Sequence, residues 1–229
     1  MFIGGLQKIT LIDYPGKIAC TVFLIGCNFR CPWCYSSELV LPEKIKKQKR
    51  ISNQDFFKFL KNRKGLLEGV VICGGEPTIN NDLLDFVIQI KKLGYAVKLD
   101  TNGSNPIILK KLIKQKLIDY VAMDIKAPLS VKKYGKATGN KANLNNIKES
   151  IDLIKNSKID YEFRTTIVPD IHSREDIIMM AKQIGQVNAY FLQGFRAEKT
   201  IDPKFKDIRP YSREYLLEVS RFFKTCKVR

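Results

Sequence analysis

Two kinds of hydrophobic pattern alternate along the chain. Short apolar runs rich in β-branched residues are followed by stretches in which apolar residues recur at helical spacing. This alternation is typical of repeated strand-then-helix units arranged around a parallel sheet. Six units are predicted, with strands at residues 19–25, 69–73, 95–100, 120–125, 161–168 and 189–193.

The helices between these strands carry recognisable start and stop signals. Ser52 is placed to cap a helix, with Asp55 completing a capping box. An apolar stripe over 83–93 predicts a second helix, and Gly94 is placed to end it. Further helices follow the same pattern, at 106–115, 144–154, 173–184 and from Ser212 onward.

Together these elements predict an α/β fold, a partial (β/α)6 barrel like a TIM barrel. Residues 1–229 are predicted as a single domain, with a core over about 17–195 and a C-terminal helical extension over about 196–229. In such barrels the chemistry collects at the carboxyl ends of the strands. The most distinctive side chains lie at these predicted ends: Cys27, Gly74, Asp100, Asp124, Arg164 and Gln193.

The composition is that of an ordinary globular protein, with 45% hydrophobic and 28% charged residues. No run approaches the roughly 20 apolar residues needed to span a bilayer. Residues 1–13 lack the basic start, apolar stretch and cleavage site of a signal peptide. We therefore expect a cytoplasmic protein without a membrane partner.

The formal net charge of +17 is large. Such a charge attracts acidic partners, including nucleic acid, phosphorylated substrates and acidic protein faces. Most lysines are scattered over stretches of helical period, where they are equally typical of solvated surface. One true cluster is present, formed by Lys44, Lys46, Lys47, Lys49 and Arg50.

Three of the six cysteines, Cys27, Cys31 and Cys34, lie within eight residues of one another. This Cys-x3-Cys-x2-Cys spacing is too tight for an ordinary disulfide framework and suits one metal centre in a reducing compartment. A closed zinc site or an ordinary 4Fe-4S electron carrier needs four ligands, and a fourth is missing. An iron–sulfur cluster with one unligated iron can bind the amine and carboxylate of an amino acid. A structural zinc site is the alternative.

The other three cysteines are interpreted as core or surface residues. Cys20 lies within a predicted strand, Cys73 ends another, and Cys226 is predicted in the last helix. None is expected to supply a fourth ligand.

The cysteine pattern resembles the hallmark loop of the radical S-adenosylmethionine (radical SAM) superfamily, in which an aromatic residue precedes the last cysteine, as Trp33 does here. The resemblance implies a 4Fe-4S cluster held by the three cysteines and S-adenosylmethionine bound at its open iron. The segment 11–17, Leu-Ile-Asp-Tyr-Pro-Gly-Lys, resembles the activating proteins of glycyl-radical enzymes. Within that group it is most similar to the activating protein of anaerobic ribonucleoside-triphosphate reductase.

The resemblance also implies which residues contact the cofactor. Gly74, Gly75 and Glu76 match a turn that holds the methionine amine. The segments at Asp100 and Asp124 resemble strand ends near the ribose, the cofactor carboxylate and, in some members, a monovalent cation. The complete predicted set beyond the cysteines is Trp33, Tyr35, Gly74, Gly75, Glu76, Asp100, Thr101, Asp124, Lys126, Arg164, Val168 and Gln193.

Simpler interpretations of these residues stay open. The glycine motif alone is compatible with a tight turn, the aspartate segments with solvated loops, and Arg164 with an outward surface position. His172 is the only histidine; its pKa near neutrality would suit acid–base chemistry, but we interpret it as a loop or helix-start residue beside Ser173.

Two departures qualify the resemblance. Related activating proteins often carry His-Asn-Pro after the last cysteine, whereas Tyr35 begins Tyr-Ser-Ser here. No second cysteine-rich insertion is present, so auxiliary clusters are not expected.

The leading hypothesis is an enzyme that cleaves S-adenosylmethionine to a 5′-deoxyadenosyl radical and forms a glycyl radical on a partner enzyme, anaerobic ribonucleotide reductase. Its electron donor would be flavodoxin or ferredoxin. One alternative directs the same chemistry at a small molecule or RNA, which the basic charge would suit. Another is a nonenzymatic metal-binding module that recognises nucleic acid; the six β/α units and the missing ligand argue against it.

Overall fold

The computed structural model describes all 229 residues, Met1–Arg229, and contains one eight-stranded sheet in which the strands follow in chain order. The strands are β1 (Ile3–Thr10), β2 (Ala19–Leu24), β3 (Gly69–Gly74), β4 (Ala96–Thr101), β5 (Tyr120–Asp124), β6 (Asp160–Ile167), β7 (Tyr190–Gly194) and β8 (Cys226–Val228). β1 runs antiparallel to β2, and every later pair of neighbours is parallel.

Nine α-helices connect or flank the strands. They are α1 (Ser37–Val40), α2 (Pro42–Ile45), α3 (Asn53–Asn62), α4 (Leu83–Lys92), α5 (Pro106–Lys114), α6 (Val131–Thr138), α7 (Leu144–Lys155), α8 (Arg174–Ile184) and α9 (Arg213–Ser220). The expected caps form at Ser52 before α3 and at Ser212 before α9. Ser173 also caps α8, where Asp176 completes a capping box that was not predicted. None of the helices is both long and apolar enough to span a lipid bilayer.

The six predicted strands are confirmed as β2 to β7, and each is followed by a helix. The two outer strands, β1 and β8, do not pair with each other, so the sheet curves without closing. This is the partial barrel predicted from the sequence.

The two faces of the sheet have opposite chemistry because successive side chains of a strand point to opposite sides. One face packs against the helices and forms a core of 48 buried residues, which includes Val70 and Ile72 of β3 and Phe86 and Ile90 of α4. The other face carries Cys73 of β3 and charged side chains of β4 to β6, and it lines a cavity. The apolar core therefore packs against the face of the sheet that is opposite the cavity.

Several elements are absent from the sequence prediction. β1 lies where no structure was predicted, and α6 lies in a lysine-rich stretch that also holds Gly135. The prediction that Cys226 lies in the last helix is wrong: α9 ends at Ser220 and Cys226 begins β8. β8 has only three residues, and it exists because its backbone pairs with β7, with the Arg229 N–H donating to Leu192 O over 2.9 Å.

Shortening a core side chain to alanine should destabilise the fold more, the more deeply that side chain is buried. Ile90→Ala removes a fully buried side chain and should lower the free energy of unfolding by about 3 kcal/mol. Ile107, also on a helix, is 65% exposed, and Ile107→Ala is the matched control with an effect under about 0.5 kcal/mol. Urea denaturation measures both; equal losses would contradict this assignment of the core.

Candidate active site

A cavity of about 1040 Å³ opens at the carboxyl ends of the parallel strands. Thirteen of the predicted site residues line it: Cys27, Cys31, Trp33, Cys34, Tyr35, Gly74, Gly75, Asp100, Thr101, Asp124, Lys126, Arg164 and Gln193. Two do not, Glu76 and Val168, both of which are completely buried. The fold thus brings together residues that are separated by up to 166 positions in the chain.

The cysteine loop follows β2 and is held by elements distant in sequence. The Arg30 N–H donates to Thr138 O over 2.8 Å, and the Asp202 N–H donates to Pro32 O over 2.9 Å. The Arg30 guanidinium turns back onto its own loop and donates to Cys27 O at 2.6 Å. Gly139, which ends α6 with φ of 69°, lies so close to Arg30 O that a Cβ would overlap it. These contacts hold the backbone of the cysteine loop against α6 and the segment at Asp202.

Burial raises the pKa of the three thiols, to about 11 for Cys27 and about 12 for Cys31, while nearby Lys126 opposes the shift. The free thiols are consequently protonated at neutral pH, and metal binding must release those protons. No three thiol, carboxylate or imidazole groups lie close enough together to hold a single metal ion. Cys27, Cys31 and Cys34 would instead each supply one thiolate to a multi-iron cluster.

The glycine turn after β3 lies directly against the end of β2. Gly74 has φ of 117°, and a Cβ there would overlap Leu24 O. A Cβ on Gly75 would overlap Gly26 O. The turn can therefore pack this closely against the end of β2 only because both positions are glycine.

Glu76 joins the ends of β3 and β4 instead of lining the cavity. Its Oε1 accepts from Thr101 Oγ1 at 2.8 Å and from Thr78 Oγ1 at 2.5 Å. Its Oε2 accepts from the Asn102 N–H at 2.6 Å. Burial raises the pKa of the Glu76 carboxyl above its ordinary value, and these hydrogen bonds oppose only part of that rise. Glu76 thus positions the glycine turn relative to Thr101.

A chain of ion pairs crosses the cavity floor. Arg164 bridges two strands, with Nε 2.9 Å from Asp124 Oδ1 and Nη1 2.8 Å from Asp100 Oδ2. Lys98 lies 2.7 Å from Asp100 Oδ1, and Lys126 lies 3.0 Å from Asp124 Oδ2. Burial alone would raise both aspartate pKa values, but the cations hold that of Asp124 at about 2 and that of Asp100 below its ordinary value. Both carboxylates are therefore ionised at neutral pH.

A second charged pair lies deeper on the same face. The guanidinium of Arg229 donates to both oxygens of the buried Glu162 at 2.9 Å and lies 3.5 Å from the Phe191 ring centroid. Arg229 and Lys98 line the cavity, as do Arg196 and Asn102, and the sequence prediction did not include them. Lys98 could have been identified from the sequence. It is a lysine within the otherwise apolar strand β4, and it lies two positions before Asp100, so both side chains point to the same face.

His172 is the loop residue before α8 that the sequence predicted, but it is buried, with 1% exposure. Its Nδ1 accepts from the Val168 N–H at 3.0 Å, and its Nε2–H donates to Lys126 O at 2.9 Å. The ring edge also contacts Trp33, with centroids 5.9 Å apart. Burial lowers its pKa to about 4, so it is neutral here. His172 and Val168 therefore support Lys126 and the cysteine loop from outside the cavity.

The sequence profile of the Radical SAM superfamily matches residues 21–184. The chain belongs to this superfamily. A Methanocaldococcus jannaschii protein named as a glycyl-radical enzyme activating enzyme is 33% identical over 97% of this chain and 91% of its own length. A Pyrococcus horikoshii protein named as a GTP 3′,8-cyclase is 28% identical over 71% of this chain and 50% of its own length.

Solved structures show the same fold. QueE from Escherichia coli aligns over 100% of this chain and 93% of its own, with a TM-score of 0.59 and 15% identity. Streptococcus suis SuiB bound to S-adenosylmethionine aligns over 91% of this chain and 51% of its own, with a TM-score of 0.62 and 16% identity. At these identities the likeness concerns the fold alone.

Membership identifies the chain as a radical SAM enzyme, a family that uses a 4Fe-4S cluster and S-adenosylmethionine. The alternatives of a structural zinc site and a nonenzymatic nucleic-acid module are therefore wrong. The cavity fits these cofactors because Cys27, Cys31 and Cys34 line it together with the ionised pair Asp100 and Asp124.

Replacement of Gly75 tests the close approach of the glycine turn. In Gly75→Ala the new methyl group must displace the backbone of Gly26, so we expect a stability loss of about 2 kcal/mol or more and weaker S-adenosylmethionine binding. Gly5→Ala is the control, because its Cβ would lie at an ordinary 3.4 Å from Phe23. Urea denaturation measures the stability and calorimetry measures the cofactor affinity. Unchanged cofactor affinity in Gly75→Ala would contradict the assignment of the glycine turn to the cofactor site.

Acid should destabilise the fold partly through His172. Its folded-state pKa of about 4 lies below the ordinary 6.5, so between these values the unfolded chain binds more protons. The free energy of unfolding then falls as the pH decreases from about 6.5 to 4, and His172 accounts for up to about 3 kcal/mol of that fall. Above about pH 6.5 the contribution of His172 no longer changes with pH. In His172→Gln this part of the loss should disappear in urea denaturation at each pH; a profile parallel to that of the wild type would contradict the assignment.

Proposed function

We propose that this radical SAM enzyme is an activase that forms a glycyl radical on a partner enzyme, an anaerobic ribonucleotide reductase. The observation that carries the proposal is similarity over nearly the whole chain to a protein named as a glycyl-radical enzyme activating enzyme, at 33% identity. A second Methanocaldococcus jannaschii protein with that name is 28% identical over 95% of this chain. The segment 11–17 supports the same assignment, because its resemblance to activating proteins is independent of the cysteine loop.

The shape of the cavity is compatible with a polypeptide substrate. Beyond the predicted cofactor contacts, its lining extends to Ile12, Gly194, Phe195 and Arg196. Ile12 is 83% exposed, which places part of this lining at the surface. A backbone glycine of a large protein has to enter as part of an extended segment, and a cavity that reaches the protein surface admits one.

When bound, the cluster and S-adenosylmethionine together supply a 5′-deoxyadenosyl radical. Cys27, Cys31 and Cys34 would hold three irons and leave the fourth for the amine and carboxylate of the cofactor. Gly74 and Gly75 would border the methionine portion. Asp100 and Asp124, kept ionised by Arg164, would orient the ribose and the cationic groups. The protein thus supplies binding, orientation and electrostatics for chemistry that belongs to the cofactors.

The electron donor in this proposal is flavodoxin or ferredoxin, and the setting is the cytoplasm. The net charge of +17 favours an acidic protein partner, since opposite charges speed diffusional encounter.

A second candidate function keeps the radical chemistry but uses a small molecule or RNA as substrate. Its support is the similarity to a protein named as a GTP 3′,8-cyclase, although this chain spans only half of that protein. Five cationic side chains line the cavity and would suit a phosphate: Lys98, Lys126, Arg164, Arg196 and Arg229. Four of them are already paired with carboxylates of the sheet, which favours the activase.

The deciding experiment is anaerobic incubation of the reconstituted, reduced enzyme with S-adenosylmethionine and an anaerobic ribonucleotide reductase. We expect a glycyl-radical doublet in the electron paramagnetic resonance spectrum of the reductase. Replacement of the acceptor glycine in the reductase by alanine is the control and should abolish the doublet. Cofactor cleavage without a doublet on this or another glycyl-radical enzyme would favour the second candidate.

The three cluster cysteines should be essential for cofactor cleavage. Cys31→Ala removes one iron ligand, so reductive cleavage to 5′-deoxyadenosine should fall by more than about a hundredfold after anaerobic reconstitution. Cys226→Ala is the matched control, because Cys226 lies on β8 and does not line the cavity. Chromatographic detection of 5′-deoxyadenosine measures both variants; robust cleavage by Cys31→Ala would contradict the assignment of the cluster ligands.

A further inference from the structure

The cationic cluster of the sequence forms an exposed surface outside the cavity. We call residues 44–50 the basic segment, and its charged members are all exposed: Lys44, Lys46, Lys47, Lys49 and Arg50. None of them forms an ion pair within the chain, and Glu43 is the only acidic residue between positions 39 and 54. Unpaired charges at this density produce a positive field that extends into the solvent.

The basic segment is anchored beside the cysteine loop. Lys44 Nζ donates to Ser37 Oγ over 2.8 Å, and Ser37 follows Cys34 by three residues. Three residues of extended chain span at most about 11 Å, so this ammonium group is held close to a predicted cluster ligand. Gln48 Nε2 donates to Gly4 O over 2.9 Å. The segment is therefore tied to the fold at two points.

The pairing of β1 sets the height of the basic segment along the barrel. Ile51, which follows the segment, forms a bridge with Ile3. Ile3 in turn pairs with Leu24, the last residue of β2, and Cys27 lies three residues beyond Leu24. The segment therefore runs along the edge of the sheet at the end that carries the cysteine loop.

The basic segment does not line the cavity; Val40 of α1 is the lining residue nearest to it in the chain. A substrate has to enter the cavity, because its reacting atom must meet the cofactor. An electron carrier needs only to come near the cluster, because electron transfer forms no bond. A surface beside the cysteine loop but outside the cavity therefore suits an electron carrier better than a substrate.

We propose that the basic segment is the docking surface for the electron donor, an acidic protein that carries one electron. On docking, the donor is oxidised by one electron and the cluster is reduced by one, with no bond or proton exchanged between the two proteins. Electron-transfer encounters bury little surface, below about 1,200 Å². The small patch formed by the segment and Phe2, which is 58% exposed and contacts Arg50, is therefore of the right order.

This proposal rests on the electron donor of the proposed function and not on the identity of the radical acceptor. The test variant combines three charge reversals: Lys46→Glu, Lys47→Glu and Lys49→Glu. Lys44 and Arg50 are kept because they contact other parts of the fold.

The matched control reverses three exposed lysines elsewhere: Lys110→Glu, Lys111→Glu and Lys114→Glu. These lysines lie on α5, whose last turn leads to the amino end of β5 and so away from the cavity. The net charge changes equally in both variants, so a difference between them reports position and not total charge.

Calorimetry measures binding of a flavodoxin and, separately, of a ferredoxin to the reconstituted holoenzyme at an ionic strength of about 0.05 M. For the carrier that binds, we expect affinity to fall by about tenfold in the test variant, or about 1.4 kcal/mol, and to stay within about twofold in the control. Salt at about 0.5 M should remove most of this difference, because it screens exposed charges.

Three binding results would overturn the proposal: equal weakening in both variants, unchanged affinity in the test variant, or no binding of either carrier to the wild type. Loss of affinity for an RNA oligonucleotide alone in the test variant would assign the segment to nucleic acid and would also overturn it. If the triple variant does not fold, Lys47→Glu should show a smaller loss of carrier affinity in the same direction.

The source of electrons separates this proposal from the proposed function. With a limiting amount of the reduced carrier, the test variant should form 5′-deoxyadenosine about tenfold more slowly than the wild type. With dithionite, a small reductant that needs no docking surface, the two rates should be equal. An equal loss with dithionite would overturn the docking proposal, whereas a wild type that cleaves the cofactor but activates no glycyl-radical enzyme would contradict only the proposed function.

Discussion

Side chains on successive positions of a strand point to opposite faces, and the rest of this structure depends on how that alternation is used. One face of the sheet is apolar and packs against helices, with Val70 and Ile72 of β3 as examples. The other face carries Lys98, Asp100 and Arg164 into the cavity. Charges are costly to bury unless they are paired, so the stability of such a site has to come from the apolar face behind it.

Pairing is complete on the charged face. Glu162 is held by Arg229 in a bidentate contact, and Asp100 and Asp124 are each held by two cations. No buried side-chain nitrogen or oxygen is left without a hydrogen-bond partner. A fully paired set of charges holds its geometry rigidly, and a rigid geometry is what orients a cofactor with several charged groups.

The cysteine loop shows a different kind of dependence. Its ligands are local in sequence, yet its shape is set by contacts from α6, from Asp202 and from His172. These contacts come from outside the cavity and would orient a cluster only through the loop that holds it. One fold can host different reactions, so we propose that the substrate is selected by the cavity wall beyond the predicted cofactor contacts, near Ile12 and Arg196.

Strong local signals were enough to predict much of this protein. The alternation of strands and helices identified β2 to β7, and the spacing of Cys27, Cys31 and Cys34 indicated an iron–sulfur cluster. Elements whose stability comes from a partner could not be predicted in this way. β8 is too short to have a pattern, and α6 has the composition of a solvated loop.

The order of apolar and polar residues in the chain was therefore sufficient for the partial barrel and for the position of its chemistry at the strand ends, because both follow from local periodicity. Only the tertiary structure decided which side chains at those ends face the cavity. Glu76 and Asp100 are both acidic and both lie within two residues of a strand end, yet Glu76 accepts from Thr101 and Asn102 while Asp100 pairs with Arg164. Such differences arise from contacts between residues far apart in the chain, and no local pattern encodes them.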